Sequence, residues 1–317
     1  MTTRDPFIVS REDLRLDDRK PGISGFLRAK NEAQFLRSAV ESHLPYLDEL
    51  IIVHNDCTDA TPDIALELER EHPEKVKVAA YLPEVELYSS RNYADLDDES
   101  PHSLANYYNF SLCQTSYQIA AKIDADHIPI GSAFLELVNH VRAELQKDQF
   151  LGFSGINWYP IRNSIFIKRE DALTFGDHGF FFPNEKTWHY YDRENGYEVM
   201  PVQTAGLSFD RWQGAVFHHL KCFRQAGAYA SYDTSNPESN VHRVAQADAE
   251  RTRSGVMSLW EAQRRLPDRF PEPFDVYAQF TQDHDYPVAG SPGWGERVRT
   301  YASLAKCRLT GTRKPTP

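Results

Sequence analysis

The chain has 317 residues, 41% hydrophobic and 26% charged, which is enough for two ordinary domains or one large one with a core that needs no disulfide or metal staple. Lys and Arg number 35 against 46 Asp and Glu, a net charge of −11. A body that acidic excludes a general polyanion binder, whose affinity rests on cations neutralising phosphates, but not the binding of a single nucleotide.

Cys57, Cys113, Cys222 and Cys307 are widely spread and show neither zinc nor redox spacing, so free thiols in a reducing cytoplasm are expected. No apolar run approaches the ~18 residues of a membrane span. Ten of the first twenty residues are charged, which leaves no room for a signal-peptide core.

Residues 1–20 read as a polar arm. The run 22–27 then predicts a buried strand, and Ala33, Leu36, Ala39, Val40 and His43 recur at helical spacing. Leu50-Ile51-Ile52-Val53 predicts a second strand that opens into turn-rich residues 54–59. Thr61 is a candidate cap and Pro62 a candidate first residue for a helix in which Ile64, Ala65 and Leu68 share a face. A third strand is expected over Val76–Tyr81. Residues 83–101 form an acidic loop too long for an idle connection, a candidate substrate loop or lid. Another amphipathic helix carries Leu104, Tyr107, Tyr108 and Leu112, and the strand 119–123 ends in Asp124-Ala125-Asp126-His127. This alternation of strands and helices predicts a mainly parallel sheet. After a helix near 132–145, aromatic-rich residues 150–225 predict a mixed or antiparallel extension, with strands over 150–158, 164–168 and 214–221. From about Gln225 the pattern is mostly helical, and residues 296–317 carry six basic residues against one acid.

Three polar clusters, 28–32, 55–59 and 124–127, each follow a predicted parallel strand. Ligands of open α/β sheets bind outside the carboxyl ends of the strands, so these clusters are expected to converge on one crevice. Asp124 and Asp126 stand two apart at a strand end, where extended geometry turns both side chains the same way. Such a pair can share a hard divalent cation, which neutralises a diphosphate as it leaves.

Three segments carry a resemblance: Gly25-Phe26-Leu27-Arg28-Ala29-Lys30-Asn31-Glu32, Ile51-Ile52-Val53-His54-Asn55-Asp56-Cys57-Thr58-Asp59-Ala60-Thr61, and Lys122-Ile123-Asp124-Ala125-Asp126. Together they resemble the family 2 glycosyltransferases of the GT-A fold over about residues 22–130. The resemblance implies an α/β fold, a Rossmann-like mixed sheet flanked by helices, here with a helical C-terminal extension. It also implies roles. Arg28, Asn31, Glu32 and Asn55 would hold the nucleotide sugar, and Asp56 would read the nucleobase. Asp124 and Asp126 would bind the ribose and the metal. The family's acceptor-side base would fall on Asp177 in Phe175-Gly176-Asp177-His178-Gly179-Phe180, which has one acid where the family often has two. The plainer reading of Asp177 is a loop acid paired with His178. A later metal ligand would fall on His218 or His219, with Lys221 at the diphosphate; strand alternation puts Lys221 on the face of His219, which is preferred. Trp188 is the aromatic residue expected on the acceptor side.

Taken whole, the resemblance implies transfer of a sugar from a nucleotide donor, UDP-linked by preference, to a hydroxyl acceptor with Mn2+ or Mg2+ and inversion. The acceptor would be a glycan or a lipid-linked precursor in cell-surface glycan or polysaccharide synthesis, met at the inner face of a membrane by the basic C-terminus. The expected organisation is an arm (1–20), a nucleotide-sugar-binding half (21–130), an acceptor-binding half (131–225) and a mostly helical extension (226–317). Two other readings differ in class. A nucleotidyltransferase would carry a glycine-rich loop after the first strand, which Arg28-Ala29-Lys30-Asn31 lacks; a non-catalytic carbohydrate-binding relative would have lost the Asp124/Asp126 pair.

Overall fold

The apolar runs form strands where the sequence predicts them. β1 (Lys20–Ala29), α1 (Leu36–His43), β2 (Glu49–Asn55), α2 (Thr61–Glu71), β3 (Val76–Tyr81), α3 (Leu104–Cys113) and β4 (Tyr117–Lys122) follow one another, and the four strands lie parallel in the order β3-β2-β1-β4. The computed structural model describes residues 5–87, 90, 93–161, 164–168, 173–174, 177–193, 197–200, 202, 205–224, 234–235, 237–239, 242–243, 245–246 and 256–257.

Alternation along the strands sorts the core into two layers. Ile23, Leu27, Leu50 and Ile52 pack on one face with Leu36 and Val40 of α1, Leu68 of α2, and Phe134 of α4 (Gly131–Glu144). Phe26, Ile51 and Val53 pack on the other with Tyr107, Phe110 and Leu112 of α3. A sheet covered on both sides needs near-continuous apolar strands, which is why these runs were legible.

The second layer is completed by the segment expected to be a polar arm. Val9 and Leu14 are buried, Phe7 meets Tyr81 edge-on at 5.4 Å, and Asn106 Nδ2 donates to the Phe7 carbonyl at 2.7 Å. Arg19 donates to the Leu14 carbonyl, Thr115 Oγ1 and the Tyr117 carbonyl. Dense charge in the sequence hid three apolar residues that dock. A second correction concerns α2. Thr61 is its first residue rather than its cap; its hydroxyl accepts from Glu32 N at 2.7 Å, and its own N–H donates to Asp59 Oδ1 at 2.9 Å. The start of α2 is thereby tied to the loop after β1.

The chain then turns back through β5 (His127–Pro129), β6 (Gln149–Ile161), β7 (Ser164–Lys168), β8 (Leu173–Thr174) and β9 (Gly179–Phe181), a two-stranded ribbon of β10 (Tyr190–Asp192) and β11 (Tyr197–Val199), and β12 (Ser208–His219). β9 pairs antiparallel with β4 and β6, β12 runs parallel to β6 and antiparallel to β5, and β13 (Val256–Met257) pairs with β7. The expected GT-A-type mixed sheet flanked by helices is thus present, and the two halves share one sheet through β4 and β9. The helical extension expected over 226–317 lies almost wholly outside the described residues, as does the basic stretch 296–317. Cys57, Cys113 and Cys222 are not joined in disulfides. Among the described residues no helix is long and apolar enough to cross a membrane.

Candidate active site

The parallel register sets Ala29 beside His54 and Phe26 beside Lys122, so β1, β2 and β4 end along one edge. At that edge a cleft is lined by Arg28, Lys30, Glu32, Asn55, Tyr108, Lys122 and Asp124, by Asp177 and Arg224 from the returning half, and by Val85, Glu86 and Leu87 of the acidic loop. The loop is anchored beyond the cleft, where the Tyr93 hydroxyl donates to Glu198, whose carboxyl burial pushes up to about 7.

Lys122 is the hub. It is 3% exposed, and its Nζ lies 2.8 Å from Asp177 Oδ1 and 3.2 Å from Asp124 Oδ1. Burial alone would lower the ammonium's pKa; the two carboxylates outweigh it, and the pKa rises. Conversely, burial would raise Asp124 and Asp177, but Lys122 and the neighbouring imidazoles hold both below the ordinary carboxylate range. Both acids are therefore ionised at neutral pH. Beside them the Arg28 guanidinium sits 3.4 Å from the ring centre of Tyr108, which stacks in turn on His189 at 4.6 Å.

The two acids of the Asp-Ala-Asp motif differ in burial, although each has a ligand atom within 4.8 Å of His127. β4 stops at Lys122, and His127 N donates to the Asp124 carbonyl at 3.2 Å, closing a turn between them. Asp124 is therefore one-third exposed to the cleft, whereas Asp126 is fully buried. Arg224 Nη2 pairs with Asp126 Oδ2 at 2.9 Å and with Glu32 Oε1 at 2.7 Å, and His219 Nε2 lies 3.7 Å from Asp126 Oδ1. His219 Nδ1 lies 2.6 Å from Asn157 Oδ1. His218 points the other way and accepts from Trp158 Nε1 at 3.0 Å.

The donor set fits a divalent cation. Asp126 with His127 and His219, and Asp124 with His127 and His178, each bring three ligand atoms within 4.8 Å of one another. His127 Nε2 and His178 Nδ1 are buried without hydrogen-bond partners, and burial holds His219 at about 4, a neutral imidazole able to ligate.

The other expected residues divide. Asn55 lines the cleft and donates to the carbonyls of Tyr81 and Pro83, both at 2.7 Å. Glu32 lines it too, its carboxyl raised by burial beside Asp126 despite Arg224. Asn31, in the left-handed region at φ 57°, accepts from Thr58 N at 2.7 Å and fastens the loop after β2. Asp56, also left-handed at φ 42°, pairs with Lys30 at 2.8 Å at the rim. Lys221 lies outside the strand: β12 ends at His219, Lys221 opens a 3-10 turn (Lys221–Phe223), and Arg224 just beyond lines the cleft. Trp188 packs beside Arg11, 5.6 Å from its guanidinium, rather than at the cleft. Sequence reasoning missed Lys122, His127, His178, Tyr108 and Arg224. A lysine inside an apolar strand and a histidine directly after the second acid were available signals for two of them.

Residues 13–178, just over half of the chain, match the protein family described as Beta-1,4-N-acetylgalactosaminyltransferase (CgtA). No curated protein matches. Among solved structures, S. aureus TarS 1-349 in complex with UDP is 13% identical over 63% of this chain and 62% of that one, with a TM-score of 0.39. The glucosyl-3-phosphoglycerate synthase of Mycobacterium tuberculosis with Mg2+ and UDP is 24% identical over 46% of this chain and 47% of that one, at 0.30. The same enzyme with Mn2+, UDP and glucosyl-3-phosphoglycerate is 18% identical over 67% and 76%, at 0.40. The chain thus spans less than two thirds of the first two.

Proposed function

Because the chain belongs to the Beta-1,4-N-acetylgalactosaminyltransferase (CgtA) family it is a glycosyltransferase, and we propose that it moves a sugar from a UDP-linked donor to a glycan hydroxyl with a divalent metal and with inversion. The observation that supports this best is the meeting of Arg28, Asn55, Lys122 and Asp124, from three parallel strands, with Asp177 from the returning half in one cleft. N-acetylgalactosamine, the sugar in the family's description, is the first donor to test.

In this reading the nucleoside lies along Arg28 and Asn55, Asp56 stands at the base, and Asn31 and Glu32 shape the loop beneath. Asp124 faces the ribose. Asp126 and His219 would hold Mn2+ or Mg2+, which when bound neutralises the departing diphosphate. Lys221 and Arg224 lie on the same side and add positive charge there. The acceptor oxygen attacks the anomeric carbon, the bond to the diphosphate breaks with its electron pair, and the proton passes to Asp177. Lys122 keeps Asp177 ionised and so ready to accept, while reducing its basicity. Forming a β-linkage from an α-linked donor is a single displacement and needs one base, consistent with the single acid in this stretch.

A membrane-borne acceptor is supported by the sequence of residues 296–317, where each of six cations would contribute about 1 kcal/mol at an anionic surface. Salt-sensitive flotation with anionic vesicles, lost on truncation after Gly295, is expected.

Calorimetric titration of UDP tests the donor site. Affinity should rise with Mn2+ and fall to the metal-free value in Asp126→Ala. Equal affinity in EDTA and in Mn2+ would overturn the metal-dependent reading.

A further inference from the structure

Arg28 is held in the cleft by its flat face. Its guanidinium carbon lies 3.4 Å from the centre of the Tyr108 ring and 5.3 Å from that of Tyr107. Among the described residues no carboxylate or carbonyl takes its N–H groups in a hydrogen bond or ion pair; Asp124 and Asp177 favour its charge from a distance. A guanidinium is weakly hydrated and stacks on aromatic faces, which leaves the donors around its edge for another partner.

The ring beneath the guanidinium is itself supported. His189 lies parallel to Tyr108, with ring centres 4.6 Å apart and planes inclined by 5°. Two groups that close to one ring fit only on its opposite faces, so Arg28, Tyr108 and His189 form a three-layer stack. His189 is 1% exposed, and neither of its ring nitrogens has a hydrogen-bond partner among the described residues. The imidazole thus contributes its face to the stack and no hydrogen bond. Its place is set through its backbone: Asn109, next to Tyr108 on α3, accepts from His189 N at 2.8 Å and donates through Nδ2 to the His189 carbonyl at 2.9 Å. Burial lowers the imidazole to about 3, so the ring is neutral and does not repel the cation on the far side of Tyr108.

We propose that Tyr108 and His189 are positioning residues for Arg28, a stacked platform that holds the guanidinium still and leaves its N–H edge for the nucleotide. An arginine fixed before binding loses little side-chain freedom when the ligand arrives, and that smaller entropic cost appears as affinity. The proposal rests on the reading that a nucleotide enters this cleft, and it adds what prepares Arg28 to meet it. His189 needs no contact with the ligand for this role: it acts through Tyr108, and Tyr108 acts through Arg28.

The test titrates UDP into full-chain variants by calorimetry, with near-UV circular dichroism to check that each is folded. Tyr108→Leu and His189→Ala should each weaken UDP by about tenfold, and His189→Phe, which restores a flat ring, should recover most of that loss. In an Arg28→Gln background, His189→Ala should weaken UDP no further, because the platform then has nothing to hold. A second measurement needs no nucleotide: 15N relaxation of the Arg28 Nε–H should show an ordered side chain in the wild type and in His189→Phe, and a mobile one in His189→Ala. Additive losses in the Arg28→Gln background, or an Arg28 that stays equally ordered in His189→Ala, would overturn the platform. A mobile Arg28 in the wild type would overturn it with no variant at all. A wild type that does not bind UDP would refute the donor reading instead, and the relaxation measurement would still decide whether the stack orders Arg28.

Discussion

β1, β2 and β4 bring Arg28, Asn55 and Lys122 to the cleft straight from apolar runs, whereas Asp177 and Arg224 reach it from the returning half, where β9 and β12 pair back onto the sheet. In the parallel half, position in the sequence and position at the site are nearly the same thing, because every strand ends at one edge. In the returning half the site residues owe their place to long-range pairing. The two halves should therefore answer differently to perturbation, the parallel half through nucleotide and the returning half through chemistry.

The sharpest contrast is Asp177. General-base catalysis is worth about 10²–10⁴-fold, so Asp177→Asn should slow transfer by that factor in single-turnover assays while UDP affinity stays near wild type. Full activity in the variant would move the base elsewhere in the returning half, with Glu185 and Asp192 next to test.

Lys122 is the joint between the halves, and its loss should cost stability as well as activity. Lys122→Met takes from Asp124 and Asp177 the ammonium that pairs with both, leaving them the neighbouring Arg28 guanidinium. Breaking a buried ion pair costs about 3–5 kcal/mol, and the low end applies because both carboxylates are a third or more exposed. Urea denaturation should show that loss, and Lys122→Met with Asp177→Asn should recover part of it. A double variant no more stable than the single one would mean that the two acids do not repel.

This joint also marks where sequence reading stopped. The strands, their order of appearance and the three clusters were legible because each apolar run ends in turn chemistry. The unequal burial of Asp124 and Asp126 was not, since β4 ends at Lys122 and a turn hydrogen bond to the Asp124 carbonyl replaces the extended geometry that alternation assumes. Arg224 carried no local signal; it was sought at Lys221, in the right neighbourhood, because the strand was read two residues too long. Val9 and Leu14 were masked by the charges around them.

A histidine remote from the cleft offers a control for those beside Asp124 and Asp126. His43 on α1 is buried against Phe134, with Nδ1 2.7 Å from the Ala39 carbonyl, and burial lowers it to about 4 from 6.5. The unfolded chain binds this proton more readily, so the contribution of His43 is present above pH 6.5 and is lost as pH falls toward 4. By pH 5 the loss reaches about 2 kcal/mol at 1.36 kcal/mol per unit. His43→Gln, which keeps a donor for Ala39, should flatten the acid limb of a stability–pH curve by that amount and leave UDP binding alone. An unchanged acid limb would place the acid sensitivity in the returning half's histidines instead.

The smallest stability effect is expected at Asp56, where the loop after β2 meets solvent. Its carboxylate is half exposed and pairs only with Lys30, a surface ion pair of the kind worth about 0–1 kcal/mol. Its backbone lies at φ 42°, a region that glycine enters without strain, so Asp56→Gly removes the side chain without bending the loop. The loop itself stays fastened by Asn31 to Thr58 and by Asp59 to Thr61 and Ala33. Thermal unfolding should thus barely move, while UDP affinity should fall if the side chain reaches the base. Asn31→Ala makes the opposite exchange: it releases the loop, lowers stability by about 1 kcal/mol through the lost hydrogen bond and further because alanine resists the left-handed backbone at φ 57°, and weakens UDP only as far as the loop loosens. If Asp56→Gly bound UDP like wild type while Asn31→Ala did not, the loop after β2 would serve the nucleotide through its shape, and Asp56 would owe its place to the left-handed turn alone.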